Sequence, residues 1–522
     1  MATSLISRFQ DETSAASLWA ITAAIIISAG IWLHRSLRRF KSPQPPPGPR
    51  GLPIVGYLPF LRSDSLHRQF ADLAEAHGPI YKLKAANKSM IVVSSPALAK
   101  EVIQAHKSTF STRLAPVVAK IFSYDGNEVA MLPYGPDWAA MRKVLAREVV
   151  SNQALDACRA LREGAVLTGI RAIRAGEPTG VFEAASKMVV DSTLAMLWGG
   201  GGSESEGGGA PIFAAEYRQA IGEMTVLLGR PNVSDAFPLL TRFDLQGIQG
   251  QATKLAKRFD CIITSVIERR LKDLEGKEGM VFKDLLQILL QVQGRADATG
   301  RLLSDSFVHF KGLVLDVASG GSDPATTLIE WAMTELLNDE KVMTKVVQEL
   351  DQVVGPNNVV EEHHLKELNY LNAVVKETCR LHVGIMARLA SQPCTVAGYA
   401  VPKGATVFIN AWAIHRDPEF WADPLQFKPE RFLDGGGNGP RLTFVGSSFQ
   451  FLPFGSGERM CVGYNLAERL MNHVLASMLH SFEWKLPAGE EKPDFSDKFG
   501  PFVKKEQPLV AIPLPRRMCS VE

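Results

Sequence analysis

The run Pro453-Phe-Gly-Ser-Gly-Glu-Arg-Met-Cys461-Val-Gly463 places one thiol in a short loop with Phe454, Gly457, Arg459 and Gly463 at fixed offsets. Gly457 and Gly463 permit tight backbone paths around the sulfur, with amides that can point at it. Arg459 supplies a permanent cation able to hold the acidic edge of a cofactor. Phe454 can cover the sulfur side of a flat ligand. A cysteine ligated in such a loop is a thiolate, and a thiolate axial ligand pushes electron density onto haem iron and favours O–O cleavage. Without that ligand the same residues read as a buried structural cysteine in a glycine-rich turn.

Three further groupings carry polar chemistry. Trp138 and Arg142 stand at i,i+4 in Trp-Ala-Ala-Met-Arg, so on one helical face they form an aromatic beside a cation. Glu377 and Arg380 stand at i,i+3 in Lys-Glu-Thr-Cys-Arg, and alone would be a surface pair worth a few tenths of a kcal/mol. Phe427-Lys-Pro-Glu-Arg431-Phe432 adds a second arginine after a proline-restricted turn.

These motifs, in this order, resemble those of the cytochromes P-450, and the resemblance spans nearly the whole chain. It implies a mainly α fold with a small β portion, and haem b bound with Cys461 as metal ligand. It implies haem contacts from Trp138, Arg142, Arg388, Phe454, Arg459, Cys461 and Gly463. It also implies a buried structural cluster of Glu377, Arg380 and Arg431, from which removing one partner would leave a charge uncompensated. Ala411-Trp-Ala-Ile-His-Arg-Asp-Pro418 is similar to the plant A-type members. Gly229-Arg-Pro-Asn-Val-Ser-Asp235 and Phe243-Asp-Leu-Gln-Gly247 resemble a subgroup tied to terpenoid and phenolic metabolism.

The chain departs from the family in three places. Where relatives carry an acid followed by a threonine in the long distal helix, this chain reads Gly320-Gly321-Ser322-Asp323-Pro324-Ala325-Thr326-Thr327. Asp323 keeps the acid, but Pro324 removes the hydroxyl and one helix N–H and is expected to bend the helix over the iron. Thr326, Thr327, Ser322 or a water are the replacement proton donors, although helix geometry points the side chains elsewhere. The stretch from His382 to Arg388 is about three residues short and lacks a proline, which makes Ile385, Met386 and Ala387 an unusual pocket wall. Glu458 stands where plant relatives carry a base, on the side expected to meet an acidic reductase; such rim charges chiefly alter association rate.

The elements that must position these groups are legible from periodicity. Strand patterns occur at Ile80 to Lys84, Met90 to Val93 and between Thr395 and Ile409. Helical patterns cover Pro96 to Gln104, Leu255 to Leu271, Phe282 to Val292 and Ser304 to Asn338. Gly199 to Gly209 is low-complexity and reads as a surface loop. Hydrophobic residues at 46% and charged residues at 21% describe a globular core, and a net charge of +2 gives no reason to expect nucleic acid. The six cysteines are scattered without a C-x-x-C pair, so neither a disulfide framework nor a zinc site is indicated.

Ala15 to Leu33 carries no charge and is nearly long enough, at about 1.5 Å per residue, to cross a bilayer core of about 30 Å. Arg35, Arg38, Arg39 and Lys41 follow, so the positive-inside rule puts the rest of the chain in the cytosol. The resulting division is a lumenal 1–14, an anchor at 15–33, a basic and proline-rich hinge at 34–50 and a haem-thiolate catalytic domain at 51–522. A cleaved signal peptide would need its basic end before the apolar run, where Arg8, Asp11 and Glu12 nearly balance.

The expectation is a single-pass endoplasmic-reticulum monooxygenase taking electrons from NADPH-cytochrome P-450 reductase and hydroxylating a small lipophilic terpenoid or phenolic. Its substrate would meet Leu313, Val317, Gly320, Gly321 and Pro324 of the distal helix, the segment from Arg113 to Met131, Ile385 to Ala387, and Phe499 to Val503 near the C-terminus, with Phe499 and Phe502 foremost. Asp323, Pro324 and Thr326 are the expected catalytic positions. Pro324 also keeps open chemistry without oxygen insertion, either oxidative phenol coupling or aldoxime dehydration. A membrane-bound haem carrier is the non-enzymatic alternative, distinguished by steady substrate-stimulated NADPH consumption.

Overall fold

The computed structural model describes residues 43–199, 210–274, 284–293, 307–433, 442–445 and 448–516. The expected anchor at 15–33, the basic cluster after it and the low-complexity stretch at 200–209 lie outside these residues. Among the described residues no helix is long and apolar enough to cross a membrane.

Strand β1 (Ile80–Ala85) turns back into β2 (Lys88–Val93), with Ile80 opposite Val93 and Ala85 opposite Lys88. The β-branched run Ile91-Val92-Val93 is fully buried, Ile91 and Val93 in one apolar cluster and Val92 in another, as suits a strand covered on both faces. From far along the chain come β3 (Ile385–Leu389) and β4 (Thr406–Asn410); β4 pairs in parallel with β2 and antiparallel with β3. The sheet order is therefore β1-β2-β4-β3, joining the two strand-rich regions of the sequence.

The helical body is built around α1 (Pro136–Val144), α2 (Val181–Trp198), α3 (Ala210–Gly229), α4 (Ile248–Leu274), α5 (Phe307–Gly320), α6 (Asp323–Asn338), α7 (Asn369–Leu381) and α8 (Tyr464–Ser481). Helix α6 sits at the centre and packs against α2, α7 and α8. Its buried Ala325, Ile329, Ala332, Met333 and Leu336 recur at helical spacing. Near the C-terminus the short strands β5 (Asp497–Lys498) and β6 (Lys504–Lys505) pair as a hairpin.

The segment expected as one bent helix, Ser304 to Asn338, is two helices among its described residues. Helix α5 ends at Gly320, and α6 begins at Asp323 with Pro324 in its first turn. Proline has no N–H to donate to the carbonyl of Gly320, and its fixed φ suits the first turn of a new helix, so it starts α6 instead of kinking a continuous one. Ser322 between them has φ −114° and ψ −85°, and its hydroxyl donates to Ser319 O at 2.7 Å. Thr193 of α2 reaches across, its hydroxyl 3.0 Å from Gly321 O, and covers a carbonyl the break leaves open.

The described part of the proline-rich stretch is not a free spacer. Lys82 N donates to Pro47 O at 2.7 Å and Ala400 N donates to Gln44 O at 2.9 Å, which ties residues 44–47 to β1 and to the strand Tyr399–Val401. A Cβ on Gly48 would lie 2.0 Å from Lys82 O, so only glycine permits that approach. The catalytic body thus begins before residue 51.

Candidate active site

Cys461 lies in the loop entering α8. Its amide donates to Phe454 O at 2.9 Å, closing the loop, while the Gly463 amide points at its sulfur. Gly457 has φ +70°, and a Cβ there would strike Ile103 Cγ2 at 2.6 Å, so the tight path belongs to Gly457. Gly463 has φ −88°, open to any residue, and contributes its amide instead. The Phe454 ring is held edge-on by Phe444, centroids 5.1 Å apart. Burial raises the Cys461 thiol, opposed by the Gly463 amide and then by the charges of Arg113 and Arg142.

Cys461 lines a cavity of about 650 Å³ together with Val317, Gly320, Gly321 and Pro324. Arg113, Arg142, Arg388 and Arg459 converge on one region of it, close enough for their charges to act on one another. Among the described residues none of the four forms an ion pair with a carboxylate, and Arg388, 4% exposed, makes no side-chain hydrogen bond. Burial, then the charges of Arg113, Arg459 and Arg142, push Arg388 down to about 9. Arg459 is pushed down to about 10, by burial first and then by Arg113 and Arg142. A flat ligand bearing acidic groups at one edge would neutralise this cluster. The thiol, the cavity and the orphaned guanidinium together fit haem b with its two propionates.

The supports of that region differ in part from expectation. Arg142 donates to Met460 O at 2.6 Å. Arg459 donates to the carbonyls of Ser111, Val129 and Leu132, which bind the cysteine loop to the segment before α1. Trp138 does not reach the cavity: its indole N–H donates to Val129 O at 3.2 Å, and its ring lies under Arg459, 4.5 Å from the guanidinium carbon. Trp138 therefore stacks on a cation of the cluster. Arg113, expected on the substrate wall as the start of the segment to Met131, lies instead among the guanidinium groups of this cluster. Glu458 is paired with Lys107 at 2.5 Å.

Ile385, Met386 and Ala387 line the cavity from β3, and Phe499 and Phe502 line it from the turn between β5 and β6. Arg113, Leu114, Val129, Ala130 and Met131 represent the segment from Arg113 to Met131. Leu313 is not on the wall; it is buried in the main core. Of the expected catalytic positions only Pro324 lines the cavity; Thr326 points away, as its helical position implied, and Asp323 is held by other partners. The Thr326 hydroxyl is buried and donates to Ser322 O at 3.0 Å. Asp323 Oδ2 accepts from Thr225 at 2.6 Å and from Lys504 at 2.7 Å, outside the cavity wall. Thr327 does line the cavity, with its hydroxyl donating to Asp323 O at 2.8 Å.

Behind the loop, Arg380 grips Glu377 through Nε at 2.7 Å and Nη2 at 2.8 Å, and Arg431 Nε lies 3.3 Å from Glu377 Oε1. The Arg380 and Glu377 side chains are both 0% exposed. The three remaining Arg380 bonds go to the carbonyls of His415, Pro424 and Gln426. His415 then carries the cluster to the cysteine loop, since Leu452 N donates to its Nε2 at 2.7 Å.

With this geometry in hand, comparison with known proteins is informative. The family model described as Cytochrome P450 matches residues 46–512. A flavonoid 3'-monooxygenase of Petunia hybrida is 35% identical, covering 93% of this chain and 95% of the relative. A 3,9-dihydroxypterocarpan 6A-monooxygenase of Glycine max is 33% identical, covering 96% and 97%. A zebrafish cytochrome P450 solved with progesterone shares the fold at a TM-score of 0.72 and 23% identity, covering 86% of this chain and 99% of the other.

Proposed function

The chain belongs to the cytochrome P450 family and is a haem-dependent monooxygenase fed with electrons from NADPH through a reductase, and we propose that it hydroxylates a flat phenolic of the flavonoid or pterocarpan class. When bound, the haem supplies oxygen activation at an iron held by the Cys461 thiolate. The chain's own residues hold and shape. Arg113, Arg142, Arg388 and Arg459 would take the propionates, and the Gly463 amide would temper the thiolate. The apolar wall of Val317, Ile385, Met386, Phe499 and Phe502 would exclude water and seat an aromatic ring.

The observation that carries this reading is a single cavity lined by Cys461, by the opened helix at Gly320 and Gly321, and by four arginines that have no carboxylate partner among the described residues. Phenolics are preferred over terpenoids because both plant relatives above act, by name, on phenolic ring systems. The Gly320 carbonyl, left without its helical donor by Pro324, offers an acceptor on the wall for a water or a substrate hydroxyl. Such a water would stand in for the missing threonine hydroxyl. The anchor at 15–33 would hold the enzyme on the endoplasmic reticulum with its body in the cytosol, facing NADPH-cytochrome P450 reductase.

The test is spectral. The holoenzyme reduced under carbon monoxide should show a thiolate-ligated haem, and Cys461→Ser should lose that signature. A panel of a flavanone, a flavone, a pterocarpan and a monoterpene alcohol should give substrate-induced spin-state shifts with the phenolics. A shift with the monoterpene alone would overturn the substrate class.

A further inference from the structure

The turn Phe499–Val503, which forms part of the substrate wall, is the tip of the β5–β6 hairpin, and its base is fastened to α6 at two places. At one, Lys504 Nζ lies 2.7 Å from Asp323 Oδ2, at the residue where α6 begins. At the other, the Trp331 indole N–H donates to Val503 O at 2.8 Å. The Asp323 side chain is 7% exposed and that of Lys504 is 29% exposed, so the pair is half-sheltered and stronger than a surface bridge. Thr225 of α3 donates to the same Asp323 oxygen at 2.6 Å, and Lys504 Nζ also sits 4.8 Å from the centre of the Phe182 ring of α2. Two helices and the hairpin therefore meet at one carboxylate, and a third helix touches the lysine.

That junction lies at the helix break. Gly321, Pro324 and Ala325 on either side of Asp323 line the cavity, whereas Asp323 itself is held off it. A change in the seating of Phe499–Val503 must move Lys504, and a change in Lys504 removes the cation that keeps Asp323 turned outward. We propose that Lys504 is a positioning residue of the oxidation: by holding Asp323 Oδ2 it fixes both the substrate wall and the direction of the acid at the helix break. The acid and the substrate wall then respond as one unit. This rests on the monooxygenase reading, and its test carries a separate check on that reading.

The test compares the full-length holoenzyme with Lys504→Met, which keeps the aliphatic stem, and Lys504→Arg, which restores the cation. A thiolate-type reduced carbon monoxide spectrum in all three is the check; its absence from the native protein would refute the monooxygenase reading instead. Two readouts follow. Imidazole and 4-phenylimidazole are titrated spectrally, the second being large enough to press on the wall. Hydrogen peroxide released per NADPH consumed is measured with a flavanone present. Lys504→Met should change the 4-phenylimidazole dissociation constant, relative to that of imidazole, by roughly two- to tenfold, and raise peroxide release by a similar factor, as expected when a positioning contact is lost. Lys504→Arg should recover most of both. If Lys504→Met leaves either quantity unchanged while its carbon monoxide spectrum is intact, the proposal fails.

Discussion

The backbone amide of Leu452 donates to Nε2 of His415 at 2.7 Å, which places a neutral imidazole between the buried arginine cluster and the cysteine loop. The other ring nitrogen, Nδ1, lies 3.1 Å from Arg380 O and must carry the proton to donate there. Burial, aided by the charges of Arg380 and Arg416 and opposed by that bond, pushes His415 down to about 3. In the unfolded chain the imidazole takes a proton near its ordinary 6.5. His415 therefore contributes stability that is present above about 6.5 and is lost as pH falls towards 3, at up to ~1.4 kcal/mol per pH unit. Urea unfolding of the native protein and of His415→Gln between pH 7.5 and 5 should differ in slope by about that amount. Equal slopes would mean that His415 is not buried as a neutral donor and acceptor.

Arg380 is fully buried and spends its guanidinium on Glu377 and three carbonyls. Arg380→Met should leave Glu377 with only Arg431 beside it and cost about 3–5 kcal/mol. Loss of soluble haem-loaded protein, measured as haem per polypeptide, is the expected result. Arg431→Met should be milder, because Arg431 approaches Glu377 at 3.3 Å and its side chain is partly exposed.

Arg113 and Arg388 are predicted to matter to haem retention and little to the apo fold. Each faces the cavity without a carboxylate partner among the described residues, so truncation relieves repulsion in the apo protein and removes attraction in the loaded one. Arg388→Ala should speed haem loss to an apomyoglobin acceptor by roughly tenfold, equivalent to about 1.4 kcal/mol, while apo stability stays level or rises. A drop in apo stability with unchanged haem loss would contradict the assignment.

Pro324→Thr should restore both a hydroxyl at the helix break and an N–H for the Gly320 carbonyl. Because Pro324 sits in the first turn of α6, its loss should cost no more than about 1 kcal/mol. The fraction of NADPH electrons recovered in hydroxylated product should rise. No rise would show that the native proton route does not lack a donor at this position.

The chemistry of the cysteine loop was legible because its residues are close in sequence and each type has one plain use there. The sheet was legible in pieces, since β-branched alternation marks strands, although the pairing of β2 with β4 depends on contacts across the whole chain. Direction was not legible. Helix geometry pointed Thr326 and Thr327 away from the cavity, yet Thr327 lines it, and the acid Asp323 is held off it by Thr225 and Lys504, because α6 starts afresh at Asp323 and is not the continuation of α5. Nor was it legible that the Trp138 indole would donate to Val129 O with its ring against Arg459, since both partners come from other segments. Lys504, and the place of Arg113 among the other arginines, were invisible for another reason: a single cation in a loop has no pattern until tertiary structure supplies its partners.

Reaction with a phenolic substrate under isotopically labelled oxygen gas, with NADPH and a plant reductase, tests the central claim most directly. Monooxygenation at the haem predicts one labelled oxygen atom in the product and none incorporated from water. Product formed at the same rate without label would contradict it, and would instead point to phenol coupling or dehydration at a cavity where Pro324 has replaced the usual hydroxyl.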